Sequence, residues 1–294
     1  MPRPRLLELH LTVLVDDYSG MTRLLAEHGL SIHVKAVYDN GETYRLLFDT
    51  GQTGEVLLRN AQGLKILLED IDAVVLSHRH YDHAGGLSQI LDKIKAKPLV
   101  AHPDVVKPSY SSREGFMRFN LALTSTQWEK IITSLEPVLT RKPLELAPDI
   151  WFLGEIPRTS DNSYATRGFY TQEAGEVVPD KLLDDTGIAI KLQDTAIVIA
   201  GCSHSGIANI ARQAKQLTGA QQIAIIGGLH TGQATDQELE TITRELASLN
   251  TTEVHAGHCT GLRGEIALHN QWKQSLHRIH SGYTAIFKLQ EREK

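Results

Sequence analysis

Within six consecutive positions, His78, His80, Asp82 and His83 offer three imidazoles and one carboxylate. They follow the apolar run from Ile71 to Leu76 with only Ser77 between, so a buried strand would deliver them together at its end. Extended backbone would point His78 and His80 to the same side, and a turn at Tyr81 would bring Asp82 and His83 round to a neighbouring point. One segment could thus serve two metal ions. Imidazole nitrogens with a carboxylate suit zinc, iron or manganese, whereas calcium and magnesium want oxygen ligands throughout. Any one of these histidines alone would read as a polar residue of a solvated loop. The whole cluster, running into Ala84-Gly85-Gly86-Leu87, does not.

Other strand ends carry comparable residues. Tyr44 to Phe48 runs into Asp49-Thr50-Gly51, and Ala196 to Ala200 into Gly201-Cys202-Ser203-His204. Gln222 to Ile226 runs into Gly227-Gly228-Leu229-His230, and Glu253 to Ala256 into Gly257-His258-Cys259-Thr260-Gly261. An α/β scaffold gathers a site in this way, at one rim of its sheets.

The elements that must position these ends can be read from the pattern. Leu6 to Val15 alternates as a half-buried strand, and Met21 to His28 is expected to be a short helix stopped by Gly29. Asn40-Gly41 marks a hairpin between strands Ile32 to Tyr38 and Tyr44 to Phe48, followed by a helix over Glu55 to Leu64. In the second half, Ile207, Ile210, Ala211, Ala214 and Leu217 recur at helical spacing, and Thr235 with Glu238 forms a capping box ahead of Leu239, Ile242, Leu246 and Leu249. From about His102 to Pro179 the rhythm breaks, and this stretch, carrying Arg113, Arg158 and several tyrosines, is expected to be an insertion covering the site.

Composition narrows the class. A chain of 294 residues with this alternation is expected to form a single domain over 1–294 with its lid at about 102–179. The net charge of −5 gives no case for nucleic acid, and no apolar run approaches the ~18–20 residues needed to cross a bilayer. The basic and apolar amino terminus superficially resembles an export signal, but its period-two alternation and the lack of a small-residue cleavage site point to a strand. Two cysteines, Cys202 and Cys259, do not make a secreted disulfide framework, which fits a cytoplasmic protein. The oligomeric state is not set by any of these features.

Taken together, the five segments resemble the metallo-β-lactamase superfamily, whose HxHxDH motif is matched without a gap by His78, His80, Asp82 and His83. The resemblance spans nearly the whole chain and implies an αββα sandwich of two mixed β-sheets flanked by helices. It also implies that His78 and His80 bind a first metal, and that Asp82, His83 and His258 bind a second. Gly154-Glu155-Ile156-Pro157-Arg158, Asp184-Asp185, Gly-Cys-Ser-His with Gly206-Ile207, Gly-Gly-Leu-His and His-Cys-Thr-Gly follow in order. That order looks like the branch containing the enzyme that joins a dihydropterin to ribofuranosylaminobenzene 5′-phosphate.

The branch departs from the superfamily at two ligands. Asp184 or Asp185 stands where a histidine is usual, and Cys202, with His204 two residues on, stands where a bridging aspartate is usual. Thiolate and imidazole both ligate zinc, so Cys202 and His204 join the candidate ligands; the alternatives are a small core residue for Cys202 and a helix cap for His204. Asp49 is placed to orient a ligating histidine. Asp82 and His230 are the candidate catalytic side chains, and Arg158 and Thr260 the candidate contacts to an anionic small-molecule substrate, with a structural role the alternative for His230, Arg158 and Thr260.

The reaction so implied is hydrolysis of a small phosphate- or ester-containing substrate by hydroxide formed on one or two divalent metals, zinc before iron or manganese. The alternatives are the dihydropterin-joining transfer and a metal-retaining binding protein without turnover. The complete His78/His80/Asp82/His83/His258 set counts against the last. An oxygen-handling di-iron role is disfavoured because no flavin-binding domain fits in the remaining length.

Overall fold

The computed structural model describes residues 3–21, 23–113, 116–119 and 122–289; the side chain of Arg113 lies outside that description. Two seven-stranded sheets stack face to face with helices on both outer faces, the αββα sandwich of the sequence reading. The first sheet runs, in spatial order, Thr284–Lys288, Leu6–Val15, Ser31–Tyr38, Thr43–Phe48, Ala73–Val75, Pro98–Ala101 and Glu136–Leu139. The second runs Leu276–Arg278, Thr251–Gly257, Gln222–Gly228, Thr195–Ala200, Gly187–Leu192, Ile150–Phe152 and Leu144–Ala147.

Each sheet is half antiparallel and half parallel. Antiparallel pairing holds the first sheet from Thr284–Lys288 to Thr43–Phe48 and parallel pairing the rest. In the second sheet the strands from Leu276 to Ala200 pair in parallel, and the remainder antiparallel. Helices return the chain between parallel strands, so the inner ones are covered on both faces and read as continuous apolar runs, while the edge strand Glu136–Leu139 stays exposed. The period of two then sorts their side chains between layers. On Thr43–Phe48, Leu46 and Phe48 enter the core between the sheets while Leu47 faces the helices. On Thr195–Ala200, Ile197 and Ile199 face inward while Val198 and Ala200 pack beneath the outer helices.

The helices stop and start where the sequence signals. Ile207–Thr218 ends at Gly219 in the left-handed conformation, and Asp236–Ser248 begins with both hydrogen bonds of the Thr235/Glu238 capping box.

Two expectations change. Among the described residues of 21–28 there is no helix; the segment spends its backbone groups elsewhere, with Leu25 N–H on Asn60 Oδ1 at 2.8 Å and Glu27 N–H on the Asp16 carbonyl at 3.2 Å. Gly29 stops no helix; it passes so close to the chain that a Cβ there would stand 2.6 Å from the Asp82 carbonyl oxygen. The 102–179 stretch is divided. Glu136–Leu139 belongs to the first sheet, and Leu144–Ala147 and Ile150–Phe152 to the second. Its accessory part is a separate four-stranded sheet of Glu176–Pro179, Phe169–Glu173, Tyr110–Arg113 and Phe116–Phe119. No helix among the described residues is long and apolar enough to cross a membrane.

Candidate metal centre

The carboxyl ends of the parallel strands of both sheets meet at one seam. Thr43–Phe48 and Ala73–Val75 bring Asp49 and the His78 to His83 segment from one side, and Thr195–Ala200, Gln222–Gly228 and Thr251–Gly257 bring Cys202, His230 and His258 from the other. The sheets approach closely there: a Cβ on Gly201 would stand 2.2 Å from Ser77 Oγ and 3.1 Å from Asp49 Oδ2. Asp49, Ser203, His230 and His258 all adopt left-handed backbone, with φ of 57°, 63°, 49° and 48°. Such conformations cost of order 1–3 kcal/mol each in non-glycine residues and persist where the surroundings fix them.

Asp82 and His83 lie on the short helix Tyr81–Ala84, which is pinned through its carbonyls. Leu30 N–H donates to the Asp82 carbonyl at 3.1 Å, and Thr50 N–H and Oγ1 donate to the His83 carbonyl at 2.7 and 2.9 Å. Four donor atoms then converge. His83 Nε2 lies 3.2 Å from Cys202 Sγ, 3.2 Å from His258 Nε2 and 3.5 Å from Asp82 Oδ2. His258 Nε2 lies 3.3 Å from both Cys202 Sγ and Asp82 Oδ2. A tetrahedral zinc site with Zn–N near 2.05 Å has donor-to-donor edges of about 3.3 Å, so this spacing fits one ion.

The tautomers are set from behind. Asp49 Oδ1 accepts Ser77 N–H at 2.7 Å, and Oδ2 accepts the Ser77 hydroxyl and His83 Nδ1–H, both at 2.7 Å. His258 donates from Nδ1 to Asp17 Oδ1 at 2.7 Å, and its backbone N–H donates to Asp16 Oδ2 at 3.0 Å. Both rings therefore turn Nε2 inward, and an ion bound there would displace the proton that the neighbouring carboxylates favour on each. Burial opposes charge on His83, but Asp82 and Asp49 outweigh it and push the imidazole up to about 9. Burial likewise opposes charge on Asp82, and His83 and His258 outweigh it, holding the carboxyl well below its usual range.

A second set adjoins the first through Cys202. Its sulfur groups with His78 and His204, their ligand atoms all within 4.8 Å of one another. The rings of His78, His80 and His204 stand 4.6 to 4.9 Å apart, centroid to centroid. His78 Nδ1 bonds Ser77 Oγ at 2.8 Å and His204 Nδ1 donates to the Ala165 carbonyl at 2.5 Å, while Nε2 of His78, His80 and His204 is buried without a hydrogen-bond partner. Three orphaned imidazole nitrogens on rings this close together are costly unless something binds them. Burial pushes all three well below the usual imidazole range, leaving them neutral, the form that ligates.

The remaining candidates fall into place. His204 caps no helix, since the helix Ile207–Thr218 starts from Gly206 without a side-chain cap. Cys202 is 2% exposed and faces the imidazoles; burial, then Cys259, pushes its thiol up. Asp184 pairs with the buried Arg79, which also holds Asp180, so it is spent. Asp185 accepts from Ser205 N–H and Oγ and keeps Oδ1 unpartnered 4.0 Å from His78 Nδ1. His230 has its ring 4.3 Å from that of His204 and an unpartnered Nδ1.

Arg158 and Thr260 have structural partners. Arg158 donates to the carbonyls of Ile156 and Leu182 at 2.5 and 2.7 Å, and the fully buried Thr260 accepts Leu229 N–H at 3.2 Å, tying the His230 loop to the His258 segment. Sequence reasoning passed over Asp16, Asp17, His28 and Phe169. Asp16-Asp17 also follow a strand end, the same signal used elsewhere. His28 sits with Nδ1 2.8 Å from Asp17 Oδ2 and Nε2 3.4 Å from Asp82 Oδ2, and Phe169 stacks on His80 at 4.7 Å.

Residues 34–207 match the Metallo-beta-lactamase superfamily, a span that includes His78, His80, Asp82, His83, Cys202 and His204. The chain belongs to the metallo-β-lactamase superfamily. It is 33% identical over 285 residues to the 7,8-dihydropterin-6-methyl-4-(β-D-ribofuranosyl)-aminobenzene-5′-phosphate synthase of Methanocaldococcus jannaschii, spanning 93% of this chain and 95% of that protein. Among solved structures, Tm1679, a metal-dependent hydrolase of the β-lactamase superfamily, superimposes with a TM-score of 0.80 at 26% identity, covering 95% of this chain and 99% of that one. A diphosphatase of the PhnP family shares the fold, with a TM-score of 0.54 at 17% identity over 97% and 99% of the two chains. This superfamily member is thus an enzyme of hydrolase or transferase type.

Proposed function

We propose that the enzyme is a two-metal hydrolase of a small anionic substrate, with Asp82, His83 and His258 holding one divalent ion, His78, His80 and His204 the other, and Cys202 shared between them. The observation that carries this reading is the pairing of a near-tetrahedral donor set with three buried, unpartnered imidazole nitrogens across one sulfur. A mixed thiolate, imidazole and carboxylate set suits zinc best, ahead of iron or manganese. Such ions, when bound, act as Lewis acids and bring the pKa of water from 15.7 toward ~7.

The chain's own side chains do the rest. Asp49 and Asp17 fix the tautomers of His83 and His258, and Phe169 covers His80 and His204 and excludes water from them. His230, with a bare Nδ1 beside His204, is placed to accept or return a proton. Next to Phe169 lies a groove of about 580 Å³ lined by Arg158, Asn162, Arg167, Tyr170 and Lys181 among others. Cationic side chains beside aromatic rings suit a phosphate-bearing substrate with a planar part. Because Arg158 is committed to carbonyls, Lys181 is the better candidate for direct contact, and Lys181→Ala should raise KM for a phosphorylated substrate more than for its unphosphorylated analogue. Two free cysteines fit a reducing, cytoplasmic setting.

A second reading, the dihydropterin-joining transfer, is favoured by the 33% identity along almost the whole of the Methanocaldococcus synthase. Elemental analysis with parallel assays decides between them. Turnover of phosphomonoesters, phosphodiesters or lactones by protein carrying two equivalents of metal supports hydrolysis, and pyrophosphate release only when both joining substrates are present supports transfer. Full metal content with no turnover of either kind would leave a metal-retaining binding protein.

A further inference from the structure

A second cluster of metal-binding side chains lies away from this centre, at the free edge of the second sheet. His255 on Thr251–Gly257 stands directly opposite His277 on the parallel edge strand Leu276–Arg278, and Glu253 precedes His255 by two residues, on the same face. Nε2 of His255 and Nε2 of His277 each lie 3.2 Å from Glu253 Oε1. That is again about the edge of a tetrahedral zinc site, near 3.3 Å. His258 lies three positions after His255, about 10 Å along the strand, so no donor is shared with the Cys202 centre.

The arrangement has the marks of a built site. His255 is 3% exposed, and its Nδ1 is fixed at 2.7 Å from the Tyr283 hydroxyl, on the chain leading into the first sheet's edge strand. Its Nε2 is buried and, although near Glu253, makes no hydrogen bond of acceptable geometry. Glu253 and His277 are about a third exposed, giving an ion a path from solvent. The His255 and His277 rings are nearly parallel, 23° apart with centroids at 4.7 Å, so binding requires the more exposed His277 ring to turn while His255 stays fixed.

We propose that Glu253, His255 and His277 bind one divalent transition metal ion, of the zinc class, that clamps the edge strand of the second sheet. Two imidazoles and a carboxylate leave a coordination position to water, which suits zinc, cobalt(II) or iron(II) and disfavours magnesium and calcium. Held this way, the short strand Leu276–Arg278 is fastened to Thr251–Gly257 by more than its ladder, and through Tyr283 to the neighbouring sheet.

The test uses the full chain and Zn²⁺ as the probe. Wild type, His277→Gln and Glu253→Gln are stripped, reloaded at equal free zinc by equilibrium dialysis, and their metal content measured. Wild type should hold one equivalent more than either variant, and zinc should raise its Tm by a step that both variants lack. Tyr283→Phe, which frees the His255 ring, should keep the extra ion but bind it about tenfold more weakly. Both altered positions are partly exposed, and metal retained at the Cys202 centre checks the fold of each variant. Equal stoichiometry in wild type and both variants would overturn the proposal and leave a carboxylate merely seated between two imidazoles.

Discussion

The two halves of the candidate metal centre share Cys202 but are built on different electrostatics. On one side, each imidazole has a carboxylate behind its Nδ1, Asp49 for His83 and Asp17 for His258, and Asp82 supplies an anionic donor. On the other, the partners are neutral: the Ser77 hydroxyl for His78 and the Ala165 carbonyl for His204. A carboxylate behind a ligating histidine raises its basicity and fixes its ring, and such partners are commonly worth 10–100-fold in metal affinity. The Asp82 half is therefore expected to hold its ion tightly and the His78/His80/His204 half to exchange its ion more readily. One site can in this way keep a permanent ion beside a replaceable one without any difference in imidazole count.

Cys202→Ser tests the shared element and should have the largest effect. Metal content should fall in both halves, with affinity down by more than about a hundredfold, while circular dichroism stays that of the wild type. Unchanged metal content with only a lower Tm would mean that the sulfur is a core residue and that His204 alone supplies that corner. Next, Asp82→Asn and His80→Ala should separate the ions: the first should lose the tightly held equivalent and the second only the exchangeable one, read by metal analysis after graded chelation. If both variants lose the same ion, the two halves are not independent. Asp17→Asn and Ser77→Ala sharpen the contrast further, since removing the charged partner should weaken binding about 10–100-fold and removing the neutral one by less.

The smallest effect concerns a buried histidine with no carboxylate behind it. Burial, then Arg45 and Lys35, pushes His33 down to about 4. Its unfolded value is near 6.5, so the stability tied to the neutral ring is present above about pH 6.5 and is lost as pH falls through about 4. Urea unfolding of His33→Gln at pH 7, 5 and 4 should show a shallower acid slope, by about 1–3 kcal/mol at the low end. Identical slopes for variant and wild type would show that the ring finds compensation when charged.

Much of the fold and of the candidate site was legible in the chain because its polar clusters sit at strand ends. Parallel strands covered on both faces are continuous apolar runs, and a run that stops near His78, Cys202 or His258 displays the candidate ligand at its boundary. The partners behind the ligands were harder to find. Asp17 meets His258 across 241 positions, and Phe169 meets His80 from an accessory hairpin, so neither contact has a local pattern. The 102–179 stretch misled for another reason: Glu136–Leu139 is an edge strand exposed along its length, so alternation, which records burial, is missing there. The expected helix at 21–28 failed because Asn60 and Asp16 take the backbone bonds that a helix would have made.

The centre lies on the seam between the two sheets, with His83 contributed by the first and Cys202 and His258 by the second. Neither half of the chain can assemble it alone, and His83 and His258, which must meet, are 175 positions apart. Contacts so distant close late during folding, because the loops they complete are long. A nascent chain whose second sheet has yet to dock can offer an ion only the ligands of the first, without the thiolate or His258. High-affinity capture would then report that the sandwich has closed, and ion uptake would trap the finished chain against reopening.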